Sequence, residues 1–72
     1  MILFDRMLAA NLREARKQAG FSLSKLEEDT EGVFKASAVG AYERGERAIS
    51  VAKFGQLCRV YDTTAKEVIP FG

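Results

Sequence analysis

Apolar residues in the first part of the chain recur at steps of three and four residues, the spacing of one helix face. Leu8, Leu12 and Ala15 form such a stripe within a predicted helix over residues 5–19. Gly20 follows, and glycine adopts the left-handed backbone that ends many helices at little cost. The pattern therefore predicts an amphipathic first helix that stops at this glycine.

A second, shorter helix is predicted over residues 23–29. Ser22 precedes it and is a residue type that caps helix N-termini well. Ser24 and Glu27 also have the spacing of a capping box, so the helix start has two possible positions two residues apart.

A third helix is predicted over residues 35–44, after an irregular stretch around Gly32 and before Gly45. Its outer side is thin, because most of its residues are small: Ala36, Ser37, Ala38, Gly40 and Ala41. A thin helix suits either close approach to a large partner or close packing against another helix.

Two more helices complete the pattern. Val51, Phe54 and Tyr61 lie on one face of a predicted helix over residues 51–61. Thr64 and Glu67 have capping-box spacing and predict a short last helix that runs through Ile69. With no sustained strand alternation, the sequence predicts an all-α, compact five-helix domain that comprises residues 1–72.

Composition restricts the chemistry open to this domain. Its 72 residues leave little room for a catalytic cleft. The absence of histidine argues against a zinc site and excludes a histidine general base. No nucleophile is paired with a base and no phosphate-cradling glycine loop is visible, so we expect no enzyme, catalytic residue, metal or cofactor.

The chain also shows no small-molecule site and no membrane segment, since no apolar run approaches ~20 residues. The single cysteine, Cys58, has no partner for an internal disulfide and indicates a reducing, cytoplasmic location. We expect it to be a small core residue rather than a redox sensor.

The charge balance is nearly even, with 11 Lys and Arg, 10 Asp and Glu, and a net charge of +1. Strong nucleic-acid binders are usually more basic, so the total favours DNA only weakly. The acidic residues, however, cluster in one stretch: Glu27, Glu28, Asp29 and Glu31. The domain can therefore present one basic and one acidic side.

The run AYERGERAIS, preceded by a small-residue helix, resembles the lambda-repressor-like, or Xre-type, helix-turn-helix family. Val39, Tyr42, Glu43 and Gly45 match its third-helix pattern of an apolar residue, an aromatic, Glu and Gly. The flanking segments LREARKQAGFSLSKLEE and SVAKFGQLCRVYDTTAKEVIP are similar to its other helices, so the resemblance covers nearly the whole chain.

Within the family, the chain is most similar to a group of actinobacterial developmental regulators, which implies a bacterial or phage-encoded protein. They share the Glu-Glu of the second helix, the Lys-Ala start of the third and the Tyr-Glu-Arg-Gly run. The 13-residue step from Leu26 to Val39 is about two longer than usual in the family, which implies an enlarged turn. Those regulators also carry a C-terminal domain that senses a cyclic dinucleotide and dimerises; this chain is expected to be an excised domain or a stand-alone member.

The resemblance implies that helix 35–44 enters the major groove of duplex DNA, where side chains on its outer side read base edges. With Val39 and Tyr42 facing the core, the expected base contacts are Lys35, Ala36, Ser37, Ala38, Ala41 and Arg44. The expected phosphate contacts are Ser22, Ser24, Lys25, Arg47 and Lys53. Many relatives bind phosphate with a glutamine where this chain has Leu23, which changes that part of the phosphate contact.

Arg16 and Glu43 match two family positions that pair with each other. A bidentate ion pair between them would lock the third helix against the first, although a direct DNA contact by Arg16 is the alternative. Among the aromatic residues, Phe21, Tyr42, Phe54 and Tyr61 are expected in the core. Phe34 is open, because it either fills the core or touches the DNA backbone.

The expected function is sequence-specific binding of duplex DNA as a transcriptional regulator, in particular a repressor. So small a module buries little surface, so we expect a homodimer or paired binding on DNA. The apolar ends Met1–Phe4 and Ile69–Phe71 are candidate contact patches. The alternative is a protein-interaction module, antirepressor or antitoxin-like, that reuses the fold; the near-neutral charge and acidic second helix favour it.

Overall fold

The computed structural model describes the backbone of residues 2–70 and the side chains of residues 4–70. Within this range the chain contains no strand and forms five helices. They are α1 Ile2–Gln18, α2 Leu23–Asp29, α3 Ala36–Glu43, α4 Val51–Val60 and α5 Ala65–Val68. The predicted all-α, five-helix class is therefore confirmed.

Helix α1 begins three residues before the predicted start at Asp5, which instead lies in its first turn. The partly buried Phe4 extends the apolar stripe through Leu8 to Leu12 at four-residue steps, so the helical pattern continues toward the N-terminus. Gly20 ends the helix as predicted, with a positive φ of 87°.

Serine side chains cap α2 and α4. The Ser22 hydroxyl accepts a hydrogen bond from the backbone N–H of Lys25 at 3.0 Å, which fixes the start of α2 and excludes the alternative at Ser24. The Ser50 hydroxyl accepts from the N–H of Lys53 at 3.2 Å. Each serine satisfies an amide that the helix itself leaves without a partner.

The predicted capping box at α5 is wrong. The Thr64 hydroxyl makes no bond to a helix amide and donates instead to the Glu67 carboxylate at 3.2 Å. The N–H of Glu67 already donates to the Thr64 carbonyl at 3.1 Å, a tight turn that removes the amide the box would use.

The turn between α2 and α3 comprises residues 30–35 and is held from within. The Thr30 hydroxyl donates to the Leu26 carbonyl at 2.8 Å and accepts from the Phe34 N–H at 3.2 Å. Gly32 has a φ of 80°, which few other residues adopt without strain. Phe34 is only 3% exposed, so the turn places its aromatic ring in the core.

One apolar core joins all five helices and the turn. Its buried residues are Leu12, Leu26, Phe34, Val39, Tyr42, Phe54, Leu57, Cys58, Tyr61 and Val68, with Phe21 packed against it. The predicted core positions of Tyr42, Phe54, Tyr61 and Cys58 are confirmed. Because α3 packs on α1 and α2 through this core, its opposite side faces outward.

The predicted contact patches at the two ends fall only partly within the described residues. Met1, Phe71 and the side chains of Ile2 and Leu3 lie outside them. Phe4 is half-buried, and Ile69 is exposed. None of the described helices has the length and apolar character needed to cross a membrane.

Candidate nucleic-acid interface

Helix α3 separates its residues into a buried side and an outward side. Val39 and Tyr42 are 1% and 7% exposed and anchor the helix in the core. Among the residues predicted to contact bases, Lys35, Ser37 and Arg44 are exposed, and Ala36, Ala38 and Ala41 are partly exposed. Ala38 also packs against the core, so it faces away from the centre of the outward side.

An ion pair fixes this helix against α1. The Arg16 guanidinium donates two hydrogen bonds to the Glu43 carboxylate, at 2.8 Å from Nε and 3.0 Å from Nη2. Its Nη1 donates to the Phe21 carbonyl at 2.7 Å. The side chains are 10% and 5% exposed, and the hydrogen bond to Glu43 raises the pKa of Arg16 although burial opposes it.

The position of Arg16 thus matches the structural role that the family resemblance implies. Its guanidinium is occupied by the Glu43 carboxylate and the Phe21 carbonyl. A direct contact from Arg16 to DNA would have to break bonds that hold the outward helix in place. The locking role therefore fits the geometry better than the direct contact.

Glu27 caps α3 from the preceding helix, a role that the sequence analysis missed. Lys35 stands at the N-cap position of α3 but makes no side-chain capping bond. The Glu27 carboxylate reaches across the turn and accepts from the Ala36 N–H at 2.7 Å. A carboxylate is favourable at this helix end, because the free amides there carry partial positive charge.

We predict that Glu27→Ala lowers the free energy of unfolding by about 1 kcal/mol, the usual cost of losing a helix N-cap. Glu27→Gln keeps an acceptor oxygen and should recover more than half of the loss. Urea denaturation measures both, with Glu28→Ala as the matched control because its carboxylate is exposed and pairs with Lys25. Equal stability of the alanine and glutamine variants would contradict the capping role.

The predicted phosphate contacts on the α2 side are exposed but partly occupied. The hydroxyls of Ser22 and Ser24 lie 3.4 Å apart at the start of α2. The Lys25 ammonium pairs with Asp29 at 3.2 Å and with Glu28 at 3.4 Å, and the bond to Asp29 is the main cause of its raised pKa. These exposed pairs are weak, so the ammonium remains open to a stronger anion.

The predicted phosphate contacts on the other side lie over aromatic rings. The Arg47 guanidinium is 6.0 Å from the centre of the Tyr42 ring, and the Lys53 ammonium is 5.8 Å from that of Phe34. A ring face attracts a cation and narrows the positions it samples. The two cations are therefore held near the ends of α3 while both residues stay exposed.

Arg44 is placed differently from the other predicted base contacts. Its guanidinium folds back over Gly40, where a Cβ atom would lie 2.9 Å from Nη1, and its Nε forms an ion pair with the Glu46 carboxylate at 3.1 Å. It lines a groove together with Arg13, a residue that the sequence analysis did not assign to the site.

Across the described residues no three metal-ligating side chains cluster together. Cys58 is buried, and its burial raises the pKa of the thiol, which disfavours the reactive thiolate.

A turn joins α2 to α3, and α3 is buried on one side and exposed on the other. This arrangement is that of a helix-turn-helix protein. The chain belongs to the helix-turn-helix domain family, whose model matches residues 7–69. None of the curated proteins matches it.

Among solved structures, the chain is similar to the DNA-binding domain of BldD. One such structure is 40% identical, has a TM-score of 0.90, and the match covers 94% of this chain and 96% of that one. The BldD DNA-binding domain of S. venezulae is also 40% identical, with a TM-score of 0.89 and coverage of 94% and 99%. The resemblance inferred from the sequence is thereby confirmed.

Proposed function

We propose that this domain is a sequence-specific, duplex-DNA-binding transcriptional regulator, a repressor without enzymatic activity, that inserts α3 into the major groove. The observation that carries the proposal is the two-sided α3: Val39 and Tyr42 are buried, and Ser37 and Arg44 are exposed. A slim helix held from behind is the element that major-groove readers use. The likeness to the DNA-binding domain of BldD supports the same function.

Base reading in this proposal rests on few strong contacts. Lys35 donates to guanine or to a phosphate, and Ser37 bonds several bases, so it discriminates little. Ala36, Ala38 and Ala41 contact thymine methyl groups, with Ala38 the most restricted because it packs partly on the core. Since small side chains make few hydrogen bonds, DNA shape supplies part of the specificity.

Phosphate contacts on both sides of α3 fix the domain on the duplex. Ser22, Ser24 and Lys25 serve one strand from the start of α2. Arg47 and Lys53 serve the other, held in place by the rings of Tyr42 and Phe34. We further propose that two copies bind together, about one helical turn of DNA apart, because a single module buries roughly 600–1,000 Å².

Selection of bound sequences from a random DNA pool tests this proposal. Wild type should enrich a defined motif, Lys35→Ala should lower affinity, and Lys66→Ala, an exposed lysine on α5, is the control that should change nothing. The same binding measured against salt should give a steep log–log slope, because each phosphate contact releases counterions.

The second candidate function is a protein-interaction module that uses the acidic side of α2. The Glu28 side chain there is 73% exposed and that of Asp29 is 41% exposed. A salt slope near zero for wild type, with no enriched motif, would reject the DNA model and favour this candidate.

A further inference from the structure

We propose that Arg13 and Arg44 form a clamp for one DNA backbone phosphate in the groove between α1, the start of α2 and the end of α3. The inference rests on the proposed function. It adds Arg13 to the interface and assigns Arg44 to a phosphate rather than to a base. The groove is lined by Arg13, Arg16, Leu23, Gly40, Glu43 and Arg44.

The charges of the groove favour an anion. Arg16 and Glu43 satisfy each other through two short hydrogen bonds, so they add little net attraction. The remaining charged side chains of the groove are Arg13 and Arg44, both exposed and both positive. A neighbouring groove shares these two arginines and adds Arg6 and Glu14, whose opposite charges cancel, so the excess of positive charge comes from Arg13 and Arg44.

The existing partner of Arg44 does not prevent this role. Its Nε lies 3.1 Å from a Glu46 carboxylate oxygen in an ion pair, and the two side chains are 57% and 61% exposed. Exposed pairs of this kind contribute little to stability. A phosphate accepts two parallel hydrogen bonds from a guanidinium and can therefore replace the carboxylate.

Gly40 makes room for the clamp. A Cβ atom at this position would lie 2.9 Å from Arg44 Nη1 but 3.5 Å from Leu23 Cδ1, an ordinary contact. Only the guanidinium would have to move. The tightest contact of a side chain at position 40 would therefore be with the Arg44 guanidinium rather than with α2.

The position of the groove identifies the anion as a DNA phosphate. Ser37, Ala41 and Arg44 are spaced by four and three residues, so they share one side of α3. A duplex lying along the outward side of α3 therefore passes the mouth of the groove. Its backbone presents phosphates at regular steps, and one of them enters between the two arginines.

The salt dependence of DNA binding tests the contribution of Arg13. Arg13→Ala should weaken binding uniformly across sequences and reduce the log–log salt slope by about 0.9, the value for one phosphate. Arg59→Ala, which removes the same charge from the exposed end of α4, should leave the slope unchanged. A steep wild-type slope that Arg13→Ala does not alter would overturn the clamp but leave the proposed function standing. A flat wild-type slope would remove both.

A double-mutant cycle tests the link between Gly40 and Arg44. Gly40→Ala should weaken binding about fivefold or more when Arg44 is present and should be nearly neutral in an Arg44→Ala background. Thermal melting checks folding, and the alanine variant should melt no lower than wild type, since alanine is the better helix former.

Two results, one from the cycle and one from sequence selection with Arg44→Ala, would contradict the clamp. An equal loss from Gly40→Ala in both backgrounds would mean that the added methyl meets DNA directly. A change in the selected sequence on Arg44→Ala, confined to one base pair, would mean that Arg44 reads a base.

Discussion

Glu43→Ala should lower the free energy of unfolding by about 3 kcal/mol, because removing one partner strands the other charge in a buried site. Arg16, whose side chain is 10% exposed, would lose two of its three hydrogen bonds. For a domain of this size the midpoint of thermal unfolding should fall by roughly 12–24 °C. Differential scanning calorimetry at neutral pH measures the change.

Three further measurements separate the ion pair from other roles of Glu43. Glu43→Gln keeps an acceptor for Arg16 and should lose less stability than the alanine variant. Glu14→Ala removes an exposed acid from α1 and should change stability little. At a temperature where both variants remain folded, Glu43→Ala should still select the wild-type DNA motif. Unchanged melting combined with an altered motif would show that the pair reads DNA rather than holding α3.

Local rules account for the parts of the fold that the sequence predicts well. The bounds of α2 and its cap at Ser22 depend on neighbours within three or four residues, which a sequence displays directly. The capping box of α5 failed under the same rule, because the Glu67 amide found a closer backbone partner in Thr64.

The site depends on contacts that no local rule describes. Glu27 caps α3 by binding the N–H of Ala36, nine residues further along the chain. The length of the turn alone does not show that the Glu27 carboxylate reaches this amide. Arg44 lies over Gly40 beside a groove that residues of α1 and α2 also line, which only the packed structure reveals. Arg16 and Glu43 lie 27 residues apart, and only the family resemblance suggested that they pair.

Ala41→Glu should weaken DNA binding by about 100-fold or more with little effect on folding. Ala41 lies on the outward side of α3, one turn after Ser37, and is partly exposed. In the proposed complex the carboxylate of the new glutamate would lie near the phosphates that border the DNA major groove. Like charges brought together in an interface cost several kcal/mol. Because about 1.4 kcal/mol of binding free energy corresponds to a tenfold change in affinity, a cost of about 2.8 kcal/mol gives the expected 100-fold loss. Fluorescence anisotropy with the selected DNA measures it.

Ala65→Glu is the matched control, because it makes the same chemical change at an exposed residue. Ala65 is the first residue of α5, a helix that packs on α1 and α4 and has no contact with α3. Each variant moves the net charge from +1 to 0, so any difference in affinity between them reports position rather than total charge. An equal loss in both would mean that binding follows overall charge, and no loss in either would mean that α3 stays outside the groove. A loss confined to Ala41→Glu is the result that insertion of α3 requires.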